Sequence, residues 1–161
     1  MGVKFATEEE GQKTIEFLQM VPVFSGLEEK TLESLLDHAD EETFPAGAVI
    51  LREGSPLADL YIVLRGKVEV RKKNAVLARL GKGQFFGEMA FLNELPTGRS
   101  ADIVAIEETR CLSIKGPVFY AFLRRNPDTA IEVIRMLASR LREADWTLGV
   151  LENIPVTPAK K

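Results

Sequence analysis

The spacing of apolar positions changes twice along the chain. Over the first forty residues it is helical: Leu27, Leu32, Leu35, Leu36 and Ala39 fall on one face of a 3.6-residue period. Thr7 with Glu10, and Ser25 with Glu28, have the spacing of capping boxes, in which a hydroxyl and a carboxylate satisfy the free amides of a first turn. Pro22 separates the two predicted helices. From about Glu42 to Lys115 the rhythm shortens to AVILRE, LYIVLRG, KVEVRK, AVLARLG, ADIVAIE and RCLSIK, broken by glycines at 47, 54, 66, 81, 83, 87 and 98. Several of these runs alternate apolar and polar positions, which leaves a strand with one apolar face. Six or more short strands in about seventy-five residues predict a compact antiparallel roll or barrel.

After Lys115 the helical period returns. Pro117 suits a first helical turn, and Asn126-Pro127 reads as a cap followed by proline at the first position, where its missing N–H costs nothing. The last helix is predicted from about Asp128 to Leu148 or beyond. On it Ala130, Ile134, Leu137, Leu141, Ala144, Leu148 and Leu151 recur at alternating spacings of four and three, a heptad seam that can cover the roll or pair with a second copy. The boundaries are then helical 6–40, β-roll 42–115, C-terminal helices 116–151 and a loose tail 152–161, in a single domain of 1–161.

Composition narrows the function. With 161 residues, 45% of them hydrophobic, the chain has the length and apolar content for one folded unit. Twenty-one basic residues against 24 acidic ones leave a net charge of -3, so no overall positive field draws it to a polyanion. The single cysteine, Cys111, lies in the apolar run CLSI and reads as a buried strand residue, which fits a reducing, cytoplasmic setting. No run is apolar enough to span a membrane, and MGVKFATEEE lacks the core of a secretory signal. His38, with no second histidine, argues against a metal site and suits a helix C-terminal end. Trp146 is expected to pack on the roll, and the RKK run at 71–73 to form a hairpin tip in solvent.

Residues 86–101, FGEMAFLNELPTGRSA, concentrate the chemistry. A helix start at Glu88-Met89-Ala90 would present unpaired amides and partial positive charge, and Gly87 lets a ligand approach the backbone closely. The planar guanidinium of Arg99 can give two hydrogen bonds to one anion. Glu88 would repel that anion and must serve another group, for which a sugar hydroxyl beside a phosphate is the natural candidate. One arginine and one helix end suit a ribose phosphate of about one negative charge, and no GxxxxGK[ST] loop for a triphosphate is present.

Phe86-Gly87-Glu88-Met89-Ala90 followed by Arg99-Ser100-Ala101 resembles the phosphate-binding cassette of cyclic nucleotide-binding domains, as found in catabolite activator-type regulators, protein kinase A regulatory subunits and cyclic nucleotide-gated channels. VFSGL at 23–27, FPAGAVILREG at 44–54 and LYIVLRGKVEV at 60–70 carry the resemblance further, over about residues 15–148. It implies a mainly β fold with flanking helices: an eight-stranded antiparallel β-roll with N-terminal helices and two C-terminal helices. It also implies that Glu88 accepts the ribose 2′-hydroxyl and Arg99 pairs with the exocyclic phosphate oxygens. Amides near Gly87, Met89, Ala90 and Ala101 would complete the cradle, with Ser100 bordering phosphate and base. The final helices would move over the pocket as a lid.

The eleven positions from Glu88 to Arg99 exceed the family's pattern by a residue or two, and the ten residues after Leu151 leave no room for a helix-turn-helix. The expectation is a cytoplasmic sensor without enzymatic activity, cofactor, metal, nucleic-acid or membrane partner. It takes a cyclic nucleotide, cAMP ahead of cGMP, and signals through a homodimer formed by the C-terminal helix or to an effector protein. A nucleotide-independent interaction scaffold on the same fold is the alternative.

Overall fold

The computed structural model describes residues 7–56, 59–88, 92 and 100–152, with side chains as far as Ala144. Its order is α1 (Glu8–Met20), α2 (Glu29–Leu36), β1 (Ala39–Phe44), β2 (Val49–Leu51), β3 (Asp59–Arg65), β4 (Lys67–Lys72), β5 (Ala75–Gly81), β6 (Phe85–Phe86), β7 (Asp102–Ala105), β8 (Thr109–Lys115), α3 (Gly116–Arg125) and α4 (Pro127–Glu152). The eight described strands form two four-stranded antiparallel sheets, one in the order β1-β8-β3-β6 and the other β2-β7-β4-β5. This is the predicted roll with helices at both ends of the chain.

The first sheet is buried on both faces, and side-chain alternation divides its residues between two cores. Leu60 and Ile62 of β3, Leu112 and Ile114 of β8 and Phe85 of β6 join Leu18, Phe24, Leu32, Phe119 and Val133 of the helical layer. Tyr61, Val63, Cys111 and Phe86 point the other way, onto Leu51, Val68, Leu80 and Ile103 of the second sheet. That double burial explains why LYIVLRG reads as an almost unbroken apolar run. Cys111 is buried as expected, and burial pushes its thiol up to about 12, with Glu42 adding to the shift.

One local expectation holds and several are corrected. Thr7 caps α1, its Oγ1 accepting from Glu10 N at 3.2 Å. The second capping box does not form, because Ser25 Oγ donates instead to Pro22 O at 3.0 Å, and Glu28 caps α2 with no side-chain bond. The helical region does not reach residue 40: α2 ends at Leu36, and Ala39 opens β1, where it pairs with Ile114 of β8. A ladder along β8 satisfies backbone groups that another turn of the acid-rich segment would have had to satisfy alone. At the β4–β5 hairpin, Arg71 does not simply face solvent but bonds back to Glu69 through Nε at 2.8 Å and Nη2 at 2.6 Å. His38, just past α2, lies with Nδ1 3.0 Å from Ser34 O, and no cluster of metal-ligating side chains occurs among the described residues.

The stripe of α4 that faces the roll is one residue off the predicted seam. Thr129 and Val133 are buried and Met136 and Leu137 partly so, whereas Ile134 and Leu141 are 63% and 64% exposed. Both stripes share the four-three spacing, so periodicity alone does not choose between them. Packing chooses, because Val133 fits the core made with Phe119 and Leu123 of α3. Among the described residues no helix is long and apolar enough to cross a membrane.

Candidate functional site

β6 is two residues long, yet it sets the site. Its pairing to β3 places Phe86 opposite Tyr61 and Phe85 opposite Ile62. Phe86 stacks on Tyr61 with ring centroids 5.1 Å apart and planes 4° from parallel, a contact that adds about 0.5–1.5 kcal/mol to the burial of the two rings. The next residue, Gly87, has φ +92°, a backbone that side-chain-bearing residues rarely adopt, so the chain turns sharply out of the sheet there. Leu92 N donates to Glu88 O at 3.1 Å. Strand and glycine turn thus follow in the order that the residues predict.

The turn carries Glu88 into the protein: the residue is 6% exposed. A buried carboxylate is costly unless it is paired and hydrogen-bonded. Its partner comes from the far end of the chain: Arg140 of α4 donates from Nη1 to Glu88 Oε1 at 3.1 Å. The same guanidinium bonds the carbonyl of Phe85 through Nη2 and lies over the Phe85 ring, its Cζ 5.4 Å from the centroid. The last helix is therefore fastened to the segment 85–88 by one side chain making three contacts.

Sequence reasoning did not single out Arg140. The signal was available: Thr129, Val133, Met136 and Arg140 repeat at four, three and four, and an arginine at the end of an inward stripe must meet an anion or a carbonyl.

A cavity of about 500 Å³ opens beside this pair, within the range of small-molecule sites. Phe86, Gly87, Glu88, Ser100 and Ala101 line it, together with Met136, Ser139, Arg140 and Glu143 of α4. Five of the predicted site residues are thus together on one cavity. The other three, Met89, Ala90 and Arg99, lie outside the described residues, as do the Asn93–Gly98 segment and the side chain of Trp146.

Comparison with known proteins agrees with this architecture. The cyclic nucleotide-binding domain family matches residues 41–126, more than half of the chain. The "Cyclic AMP receptor protein" of Thermus thermophilus is 36% identical over 135 residues, which cover 81% of this chain and 62% of that protein. The crystal structure of the Thermus thermophilus catabolite activator protein superposes with a TM-score of 0.69 at 37% identity, over 81% of this chain and 63% of that one. A "CRP-like cAMP-activated global transcriptional regulator" of Mycobacterium tuberculosis is 26% identical over 153 residues, 91% of this chain and 67% of the regulator. The chain thus spans about two thirds of the length of these relatives. The expectation of no nucleic-acid partner gains no support from them, since one is a transcriptional regulator by name. With the β-roll, the glycine turn and the buried glutamate in place, the chain belongs to the cyclic nucleotide-binding domain family.

Proposed function

We propose that this domain binds a purine 3′,5′-cyclic mononucleotide, cAMP ahead of cGMP, and that binding repositions α4 to signal to a partner or to a second copy. The observation that carries the reading is the buried Glu88 at the wall of a ligand-sized cavity, tied to the last helix by Arg140. Glu88 receives the ribose 2′-hydroxyl and Arg99 the exocyclic phosphate oxygens. Amides of Gly87, Met89, Ala90 and Ala101 complete the cradle, and Ser100 borders phosphate and base. The left-handed backbone of Gly87 supports such a cradle, because a glycine there lets a ligand approach the backbone closely. The order of the two nucleotides rests on the name of the Thermus relative.

Arg140 supplies the link to the helix. A hydroxyl donated to Glu88 shares or displaces the Arg140 contact, so ligand affinity and α4 position depend on one carboxylate. A ligand shifts an equilibrium only through such differential contacts with its two states. Nothing in this reading calls for a chemical step. Titration calorimetry with cAMP and cGMP tests it: Arg99→Ala is expected to weaken binding by at least about tenfold. An absence of heat at millimolar ligand, or unchanged binding in Arg99→Ala, rules it out.

A second reading, a nucleotide-independent dimerisation or docking scaffold, is favoured by the outer face of α4, where Ile131, Ile134 and Leu141 stand exposed. Light scattering separates the two. A dimer that ignores both nucleotides and falls apart in Leu141→Glu supports the scaffold, whereas a monomer that binds cAMP opposes it.

A further inference from the structure

A second cavity, of about 490 Å³, shares no described lining residue with the first. Its lining comes from the chain around the start of α2, with Glu28 and Thr31, and from the α3–α4 junction, with Arg125, Asp128 and Thr129. Thr129 is 2% exposed, and its hydroxyl has no hydrogen-bond partner among the described residues. The buried threonine of β8 behaves differently: Thr109 Oγ1 donates to Lys67 O at 3.1 Å and to Glu107 O at 2.9 Å. A buried hydroxyl left unpaired costs free energy, so one that lines a cavity marks a place for a further partner. The first turn of α4 is open as well. Pro127 has no N–H, and the turn's first backbone bond is Ala130 N to Asn126 O at 3.2 Å, which leaves the amides of Asp128 and Thr129. The Asn126 side chain, which the residues place as their cap, donates from Nδ2 to Phe122 O at 2.9 Å.

The cavity also carries both signs of charge without pairing them. Arg125, Glu28 and Asp128 make no ion pair among the described residues, and Glu28, the N-cap of α2, makes no side-chain capping bond. Glu132, the other charged residue that lines it, is engaged by Arg135. A simple anion here would meet two carboxylates, and a simple cation would meet the guanidinium and the positive end of α4. A molecule that carries one charge of each sign meets a partner for both. We propose that this cavity binds a zwitterion of the free α-amino acid class. The α-carboxylate accepts from the amides of Asp128 and Thr129, the Thr129 hydroxyl and the Arg125 guanidinium, a donor set suited to one oxyanion. The α-ammonium donates to the carboxylates of Glu28 and Asp128. Val23, Leu27 and Pro127 supply apolar lining for a side chain. The assignment does not depend on the cyclic-nucleotide reading.

Amide chemical shifts of the whole chain test this, with the common L-amino acids added singly up to millimolar concentration. At least one is expected to move the amides of residues 22–31 and 125–132 and to leave those of residues 85–88 in place. Two blocked forms of the best binder then ask whether both charges count: its N-acetyl derivative lacks the ammonium, and its amide lacks the carboxylate. Each should bind about tenfold more weakly, the loss of a charge-assisted contact. Arg125 is exposed, so Arg125→Ala spares the fold; it should bring the affinity for the free amino acid down to about that for its amide. Thr129→Val keeps the shape and removes the hydroxyl. It should weaken binding several-fold without lowering the melting temperature of the free chain, since no bond within the protein is lost. Amides unmoved by every amino acid, blocked forms that bind as well as the free one, or unchanged affinity in both variants would each overturn the assignment. Titrations with cAMP and cGMP are expected to be unaffected by Arg125→Ala, so the two sites are judged separately.

Discussion

Glu69 and Glu88 are buried to nearly the same degree, 7% and 6% exposed, yet they are held in opposite ways. Glu69 lies in β4 and takes its partners from its own hairpin: Arg71, two residues on, and Arg79, directly across on β5. These pairs form when the hairpin forms. Hydrogen bonds from Arg71 and then Arg79 hold the Glu69 carboxyl below its ordinary pKa. Glu88 has an arginine 52 residues away on a separate helix. Strand pairing keeps the partners inside one hairpin close together, whereas a clamp between a turn and a helix separates if the helix moves. On the function proposed above, the same chemistry would serve rigidity in one place and a coupled equilibrium in the other.

The sharpest way to break the comparison is to remove each carboxylate. Glu88→Ala is expected to lower cyclic-nucleotide affinity by about 100-fold, the loss of a charge-assisted bond in a desolvated site, with a much smaller change in melting temperature. Glu69→Ala should do the reverse, lowering the melting temperature by a few degrees and leaving calorimetric affinity nearly intact. Equal effects of the two variants on binding would erase the distinction.

Next in size is Arg140→Ala. It leaves Glu88 buried without that partner and unfastens α4, so amide hydrogens of the helix should exchange about tenfold faster. The change should be confined to α4 and the segment around residues 85–88, with the β4–β5 hairpin as protected as before. Uniform protection across the molecule would show that Arg140 does not fasten the helix.

The smallest effect concerns pH. Because the folded-state pKa of Glu69 is depressed, its contribution to stability is complete above the ordinary carboxylate pKa and is lost as pH falls through the depressed folded value. Melting temperature should therefore decline on acidification below about pH 4, and Glu69→Gln should flatten that limb. An identical acid limb in the variant would mean that other carboxylates carry it.

Much of this was legible in the residues because it is local. The six strand runs, the cap at Thr7, the start of α3 beside Pro117 and the glycine turn before Glu88 all follow from spacing and from what glycine, proline and threonine do to a backbone. What escaped depended on distant partners. β6 is too short to show a period and exists because β3 lies beside it. Ala39 continues a helical pattern yet pairs with Ile114, a residue seventy-five positions on. Ser25 has the spacing of a cap but finds a nearer acceptor in Pro22 O.

The amino-acid sequence by itself determined the class of fold and the glycine turn ahead of Glu88, since period and turn chemistry need no partner to be recognised. The tertiary structure alone decided which stripe of α4 turns inward. Two stripes one residue apart carry the same period, and only the shape of the core around Phe119 and Val133 distinguishes them. That choice sends Arg140 to Glu88 and leaves Ile134 and Leu141 outside. Pattern specifies that a helix has an apolar side, but where that side points is settled by the surface it must fit.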